Sequence, residues 1–168
     1  CAIVLPDGSL FGDGVLQRVK KHLVETCDLH TIVRLPKGVF APYTPINTNV
    51  LFFEKGRPTE AIWYYEQPLP EGMQSYGKTR PFPADGLDEC KAWWGEDRSK
   101  RQETERAWRV PIEEVVAKGF NLDFKNPNAK QDDAHVFREA LAADEATQAV
   151  LEEYRELLEA YYTKVCAV

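Results

Sequence analysis

Hydrophobic and polar positions along the first 35 residues predict a strand, a helix and a second strand. Residues 2–5 are apolar at every position, which is typical of a strand buried on both faces. From Gly14 to about Cys27 apolar residues recur at helical spacing, namely Val15, Val19, Leu23 and Val24. Residues 29–35 then predict a second strand. Short connections between these elements indicate a βαβ unit, so the two strands should be parallel.

Two further strands are predicted at 48–54 and 61–66. The loop at residues 41–47 is too short to hold a crossover helix, so the third strand should run antiparallel to the second. A turn at residues 55–58 leads into the fourth strand. The pattern therefore favours an α/β fold with a mixed sheet whose last strands return antiparallel.

The regular pattern stops at Pro68 and does not resume until about Trp108. A short helix is expected near residues 85–94, with Trp93 and Trp94 attaching it to the body of the domain. Pro111 should begin another short helix that ends near Gly119. Residues 120–127 are expected to be extended and partly buried. We therefore divide the chain into sheet strands at 1–67, a long irregular excursion at 68–130, and a C-terminal helix at 131–168.

Residues 134–165 contain no Gly or Pro and predict one long helix. Several apolar and aromatic residues of this segment lie seven positions apart in a heptad-like stripe. The members of the stripe are Val150, Leu151, Tyr154, Leu157, Leu158, Tyr161 and Val165. Such a helix either packs on its own domain or binds a partner, and the spacing alone leaves both open.

The first and second strands end in related strings, Leu5-Pro-Asp-Gly8 and Leu35-Pro-Lys-Gly38. Parallel strands place their carboxyl ends on one edge of the sheet, which is where ligands bind in open α/β sheets. Two such loops on one edge favour a binding site. The alternative is that each Pro-x-Gly string only turns the chain.

Composition and charge exclude several classes of protein. The 168 residues are 43% hydrophobic and carry a net charge of −6, which argues against a segment that grips DNA by itself. The four cysteines form no C-x-x-C pair, so no metal site is expected. No apolar run approaches the roughly 20 residues of a membrane span. No nucleophile elbow, P-loop or G-x-G-x-x-G string occurs. Because the chain starts at Cys1 without Met, we expect a piece of a longer protein.

The blocks described above resemble the modification subunit of type I restriction systems, a DNA-adenine methyltransferase. The resemblance lies in residues 2–11, 32–40, 48–55 and 121–127, in that order. It implies a Rossmann-like methyltransferase sheet that ends in an inserted antiparallel strand, with residues 2–5, 29–35 and 48–54 as its fifth, sixth and seventh strands. Members of the family transfer a methyl group from S-adenosylmethionine to N6 of adenine in DNA.

Two family motifs are missing from this chain, namely the glycine-rich cofactor loop and the Asn-Pro-Pro-aromatic string. The one Asn-Pro pair in the sequence, Asn126-Pro127, is followed by Asn128. We therefore expect this chain alone to bind no S-adenosylmethionine and to methylate nothing. The resemblance assigns Phe40 to stacking on a flipped target base, with a structural role in the turn as the alternative. Four residues are expected to line the substrate cleft, namely Pro6, Asp7, Gly8 and Tyr43.

The resemblance also implies partners. The heptad-like stripe would dock on the specificity subunit, the restriction subunit would complete the complex, and DNA would be held through that complex rather than by this acidic chain. A cytoplasmic bacterial or archaeal location without a membrane is expected. An apolar first strand without its sheet neighbour predicts a homodimer or a rearranged N-terminus. Two alternatives remain, a non-catalytic assembly module that binds the specificity subunit and an unrelated α/β domain with a helical tail.

Overall fold

A computed structural model describes residues 1–129, which form one compact unit (Cys1–Ala129). The predicted C-terminal docking helix lies outside the described residues. So do all members of its heptad-like stripe, namely Val150, Leu151, Tyr154, Leu157, Leu158, Tyr161 and Val165.

The described unit contains five strands and four α-helices. The strands are β1 (Ala2–Pro6), β2 (Cys27–Arg34), β3 (Thr48–Lys55), β4 (Ala61–Glu66) and β5 (Ala107–Pro111). The helices are α1 (Gly8–Phe11), α2 (Val15–Thr26), α3 (Asp88–Trp94) and α4 (Ile112–Ala117). A single 3₁₀ turn occupies Arg98–Lys100 within this part of the chain.

The strands form one mixed sheet in the order β1-β3-β2-β4-β5. Strand β3 is antiparallel to both β1 and β2 and lies between them, so β1 and β2 run in the same direction, as predicted. The expectation that the fourth strand also returns antiparallel is wrong. Strand β4 crosses to the free edge of β2 and pairs with it in parallel, and β5, which the sequence pattern did not predict, is antiparallel to β4.

The crossing to the far edge of β2 is held by Thr59, which is buried in the connection between β3 and β4. Its hydroxyl donates to the Cys27 carbonyl and accepts from the Leu29 amide, both at 2.8 Å, and its own amide donates to the Val24 carbonyl. These bonds direct the chain past the start of β2 and into a parallel pairing. Side-chain bonding of this kind leaves no mark in the hydrophobic pattern.

Both faces of the sheet are covered. On one face β2, β3, β4 and β5 contribute Ile32, Leu51, Tyr64 and Trp108 to a core closed by α1, α2 and α4. On the other face α3 packs over a smaller cluster. Its members are Val33, Tyr65, Cys90 and Ala107, flanked by Leu35, Val50, Phe52, Leu87, Trp93 and Trp94. The prediction that Trp93 and Trp94 attach this segment to the body is confirmed, since their rings pack edge-on to Trp63 and Phe52.

Two burial predictions are wrong. Residues 2–5 do not form a strand buried on both faces, because β1 is an edge strand on which Ile3 and Val4 are 42% and 47% exposed. The apolar positions of α2 also do not all face the core, since Val15 and Val19 are exposed while Lys20 is buried. The Lys20 ammonium donates to the Leu10 and Gly12 carbonyls, which compensates its burial.

Candidate functional site

Backbone hydrogen bonds draw three loops together at the carboxyl ends of β1, β2 and β4. The Asp7 amide donates to Asn47, the Leu35 amide donates to Thr48, and the Gln67 amide donates to Arg34, each at 3.0 Å. The predicted convergence of the two Leu-Pro-x-Gly loops on one edge of the sheet is therefore confirmed. The start of β3 lies between them, because β3 runs in the opposite direction.

Asp7 and Asn49 form the polar centre of this edge. Asn49 is the second residue of the antiparallel strand β3 and is completely buried. Its amide nitrogen donates to a carboxylate oxygen of Asp7 at 2.6 Å. The loop after β1 is thus connected to β3 by a side-chain bond in addition to the strand pairing. Asp7 was predicted for the site, whereas Asn49 was not, since an Asn at the start of a strand suggests only a turn.

The loop after β2 carries Phe40 and Tyr43 and is anchored at Gly38. Gly38 is buried with a φ of 83°, and the backbone of Tyr76 passes directly against its α-carbon. The Tyr76 amide donates to the Lys37 carbonyl at 2.9 Å. The segment around Tyr76 therefore fixes the start of the loop, and only glycine leaves enough space there.

Beyond Gly38 the loop turns tightly and presents its aromatic residues outward. The amides of Tyr43 and Thr44 both donate to the Phe40 carbonyl, and the Ala41-Pro42 peptide bond is cis. Phe40 is 37% exposed and Tyr43 is 92% exposed. Phe40 is therefore held on an ordered turn with part of its ring accessible, while Tyr43 projects into solvent.

A pocket of about 250 Å³, which we call the rim pocket, opens between these loops. It is lined by Asp7, Arg34, Leu35, Pro36, Lys37, Asn47, Asn49, Glu66, Gln67, Pro68 and Leu69. Of the predicted site residues, Asp7 alone lies on its wall. Pro6 and Gly8 flank Asp7 outside the lining, and Phe40 and Tyr43 lie on the adjoining loop.

Arg34 connects the rim pocket to the segment after α4. Its guanidinium donates to the Asp123 carboxylate and to the Phe124 carbonyl, both at 2.8 Å. Asp123 and Phe124 belong to the string at 121–127 that the sequence singled out. These two hydrogen bonds attach the string to Arg34, at the carboxyl end of β2. No sequence spacing relates Arg34 to a partner 89 residues away.

A larger cleft of about 630 Å³ lies near the opposite ends of β2 and β4. Arg57 and Arg98 both pair with Asp28 there, and the Arg101 guanidinium lies over the rings of Trp93 and Trp94. His30 lines the same cleft. Burial lowers the pKa of His30 to about 4, and the positive charge of Arg98 adds to this effect. The pairing of Arg98 with Asp28 and the stacking of Arg101 on Trp93 and Trp94 connect the 3₁₀ turn and α3 to the sheet.

The Gly-x-Gly string of the described residues does not have the geometry of a cofactor loop. Their one Gly-x-Gly string, Gly12-Asp13-Gly14, precedes α2, but the Gly12 amide already donates to the Gly8 carbonyl, and the Leu16 side chain fills the space beside Gly12. A cofactor loop would need free backbone N–H groups and open space at this point. Within residues 1–129 no cluster of potential metal ligands occurs, and no helix has the length and apolarity to cross a membrane.

Most of the chain matches a known protein family. Residues 1–135 match the family described as N-6 DNA Methylase. The chain is 48% identical over 160 residues to the Type I restriction enzyme EcoEI methylase subunit of Escherichia coli, covering 94% of this chain and 33% of that protein. It therefore spans about a third of the length of that relative.

Solved structures give the same result. A chain from a structure of type I R-M system assembly and conformational transition has a TM-score of 0.72 and 37% identity, and the match covers 95% of this chain and 35% of that one. The crystal structure of the EcoKI M protein has a TM-score of 0.64 and 27% identity, with 90% and 40% covered. The mixed sheet described above is thus a methyltransferase sheet of the Rossmann-like type.

Proposed function

This chain belongs to the N-6 DNA methylase family, and from that premise we propose that it is part of the modification subunit of a type I restriction system. The parent enzyme would transfer a methyl group from S-adenosylmethionine to N6 of adenine in DNA. The strand order β1-β3-β2 carries the proposal, because an antiparallel strand inserted between two parallel ones brings both Leu-Pro-x-Gly loops to one edge. In this assignment β1, β2 and β3 are the strands that close the methyltransferase sheet.

We assign Phe40 to stacking on the adenine that is flipped out of the duplex. A base must leave the helix before its amino group can be methylated, and an aromatic ring then supports it. Three observations support Phe40. It follows one of the two loops at the binding edge, it lies on a turn anchored at Gly38, and part of its ring is accessible. Tyr43, on the same turn, is too exposed to form the wall of a pocket.

The test compares Phe40→Ala with Tyr43→Ala in the intact modification enzyme. Stacking on an aromatic side chain contributes about 1–3 kcal/mol per base, so Phe40→Ala should lower methylation roughly 5- to 150-fold. It should also reduce the fluorescence increase of 2-aminopurine placed at the target base. Tyr43→Ala should change neither readout by more than about twofold. Equal behaviour of the two variants would refute the assignment of Phe40.

The isolated chain is expected to lack methyltransferase activity. The sequence contains neither a G-x-G-x-x-G string nor an Asn-Pro-Pro-aromatic string. Isothermal titration of the 168-residue chain with S-adenosylmethionine should therefore give no binding heat at millimolar ligand. A saturable isotherm would show that the cofactor site is present after all.

A second function, assembly, is favoured by the heptad-like spacing in residues 134–165 and by the acidic net charge. We propose that this segment docks on the specificity subunit, which would also recruit the restriction subunit and hold the DNA. Deleting residues 145–168 should then abolish co-purification with the specificity subunit while residues 1–129 remain folded. Unchanged assembly after the deletion would contradict this role.

The exposed apolar strand β1 supports one further expectation. Its outer edge has no pairing partner among the described residues, and its residues Ile3 and Val4 are exposed. Unpaired apolar edges associate with other strands. We propose that two copies of the isolated chain pair through β1. Sedimentation at several concentrations should show a dimer, and Val4→Lys should dissociate it. A concentration-independent monomer would refute this expectation.

A further inference from the structure

Three exposed basic residues lie on the loop that carries Phe40 and on a hairpin beside it. Lys37 belongs to the loop, and Lys78 and Arg80 belong to a tight hairpin in which Gly77 and Arg80 exchange backbone hydrogen bonds. The ion pairs formed among residues 1–129 include none of these three side chains. We call Lys37, Lys78 and Arg80 the basic patch.

The hairpin is fixed to the loop by the residue that precedes it. The Tyr76 amide donates to the Lys37 carbonyl at 2.9 Å, and the Tyr76 backbone passes directly against Gly38. Tyr76 is buried, and its ring packs edge-on to Phe82, which follows the hairpin. Because Lys78 is two residues beyond Tyr76, the Cα atoms of these two residues are at most about 7 Å apart. The fold therefore holds the hairpin and the start of the loop close together.

The local charge of these two segments is opposite to the charge of the whole chain. The chain has a net charge of −6. Lys37 is nevertheless the one charged residue in 35–53, and Lys78 and Arg80 are the two charged residues in 72–84. Both segments therefore carry positive charge alone, and an anionic ligand between them would reduce the repulsion among their cations.

We propose that the basic patch binds the DNA phosphates on either side of the flipped adenine, so that its members are positioning residues. Phe40, which we assign to stacking on that adenine, follows Lys37 by three residues. Phosphates recur about every 3.4 Å along the axis of one strand, so two adjacent basic segments suit neighbouring phosphates. Such contacts fix the register of a protein on DNA without reading its sequence. The inference rests on the proposed function, since it requires the target base at Phe40.

A DNA strand suits this surface better than an acidic segment of a protein. Lys37 also lines the rim pocket, and the carboxylates Asp7 and Glu66 on the same wall would repel an anion that entered the pocket. The ligand should therefore remain on the exposed loop and hairpin. A nucleotide strand combines phosphates for the basic patch with a base for the accessible ring of Phe40, whereas an acidic peptide would match the charges alone.

The salt dependence of DNA binding by the intact modification enzyme tests the basic patch. Each phosphate contact contributes about −0.9 to the slope of log affinity against log salt concentration. Lys78→Gln combined with Arg80→Gln should therefore reduce the magnitude of the slope by about 1.8. Between roughly 50 and 200 mM salt, the double variant should lose about 12-fold less affinity than the unmodified enzyme. The reduction should be the same for DNA with and without the recognition sequence.

The matched control is Lys55→Gln combined with Arg109→Gln, which removes the same two charges. Both residues are exposed, Lys55 lies beside the start of β2, and Arg109 lines the larger cleft. The control should keep the slope of the unmodified enzyme. Both double variants should keep its thermal midpoint, because the substituted residues are exposed. An unchanged slope for the basic-patch variant, or an equal change in the control, would overturn the proposal.

Neutral methylphosphonates in place of single phosphates test the contact itself. Replacing a phosphate beside the target adenine should weaken binding by the unmodified enzyme roughly two- to fivefold. It should not affect the basic-patch variant, because that variant has already lost the contact. Equal weakening of the two enzymes would contradict the assignment. Loss of co-purification with the specificity subunit at an unchanged slope would instead indicate an acidic protein partner and would also overturn it.

The unmodified enzyme separates this inference from the proposed function. If it neither binds DNA nor flips the target base, the proposed function is wrong, and the inference is wrong with it. If it flips 2-aminopurine at the target position while the basic-patch variant keeps the full salt slope, only the assignment of the basic patch is wrong.

Discussion

Gly38→Ala is the substitution for which the structure gives the sharpest expectation. A Cβ at this position would lie 2.9 Å from the Tyr76 carbonyl carbon and 3.0 Å from its nitrogen, and closer still to its oxygen. All three are backbone atoms, so no rotamer change relieves the contact. The φ of 83° adds strain because residues that carry a Cβ atom rarely adopt a positive φ.

The two effects can be estimated separately. Left-handed backbone at a non-glycine residue costs about 1–2 kcal/mol, and an extra carbon in a packed site costs about 1–3 kcal/mol. Gly38→Ala should therefore lower the free energy of unfolding by about 2–5 kcal/mol. The Lys37–Tyr76 backbone bond should weaken, and the turn that carries Phe40 should lose its anchor.

Two other glycines serve as controls. Gly72 has a φ of 74° but open space around it, so Gly72→Ala should show the backbone strain alone. Gly8 has open space and no positive φ, so Gly8→Ala should be nearly neutral. Urea unfolding followed by tryptophan fluorescence measures all three variants. A loss for Gly38→Ala that does not exceed the loss for Gly72→Ala would refute the close-contact reasoning.

Three further predictions concern the core and its titrating groups. Tyr64→Phe removes the buried bond to the Leu122 carbonyl and should cost about 1 kcal/mol in urea unfolding, and no loss would contradict this. Burial raises the pKa of Cys90 to about 11, so iodoacetamide at pH 8 should label exposed Cys1 well before Cys90, as mapped by mass spectrometry. His30 accepts a proton near pH 4 in the folded chain and near 6.5 when unfolded, so stability should fall as pH drops from 6.5 towards 4. The His30→Gln variant should lack that fall in the free energy of unfolding. A variant with the same pH dependence as the unmodified chain would refute the role of His30.

Much of the sheet could be predicted because its first strands are encoded locally. The apolar runs at 2–5 and 29–35 and the short loop at 41–47 gave three strands and their directions correctly. Strand β5 could not be predicted, since Ala107–Pro111 follows a long irregular stretch and its alternation becomes visible only against β4. The burial of Lys20 was equally hidden, because two carbonyls at the end of α1 receive its charge.

The sequence by itself determined strands β1 to β4, the parallel direction of β1 and β2, and the meeting of their Leu-Pro-x-Gly loops at one edge. The spacing of apolar residues and the length of a loop are local properties of the chain. The tertiary structure decided which strand lies beside which and which side chains line the shared edge. Strand β4 joins the far edge of β2 because Thr59 holds the connection there. Asn49, Gln67 and Asp7 meet only after β3 has entered between β1 and β2. Partners so distant in sequence are selected by packing and hydrogen bonding, which no short pattern records.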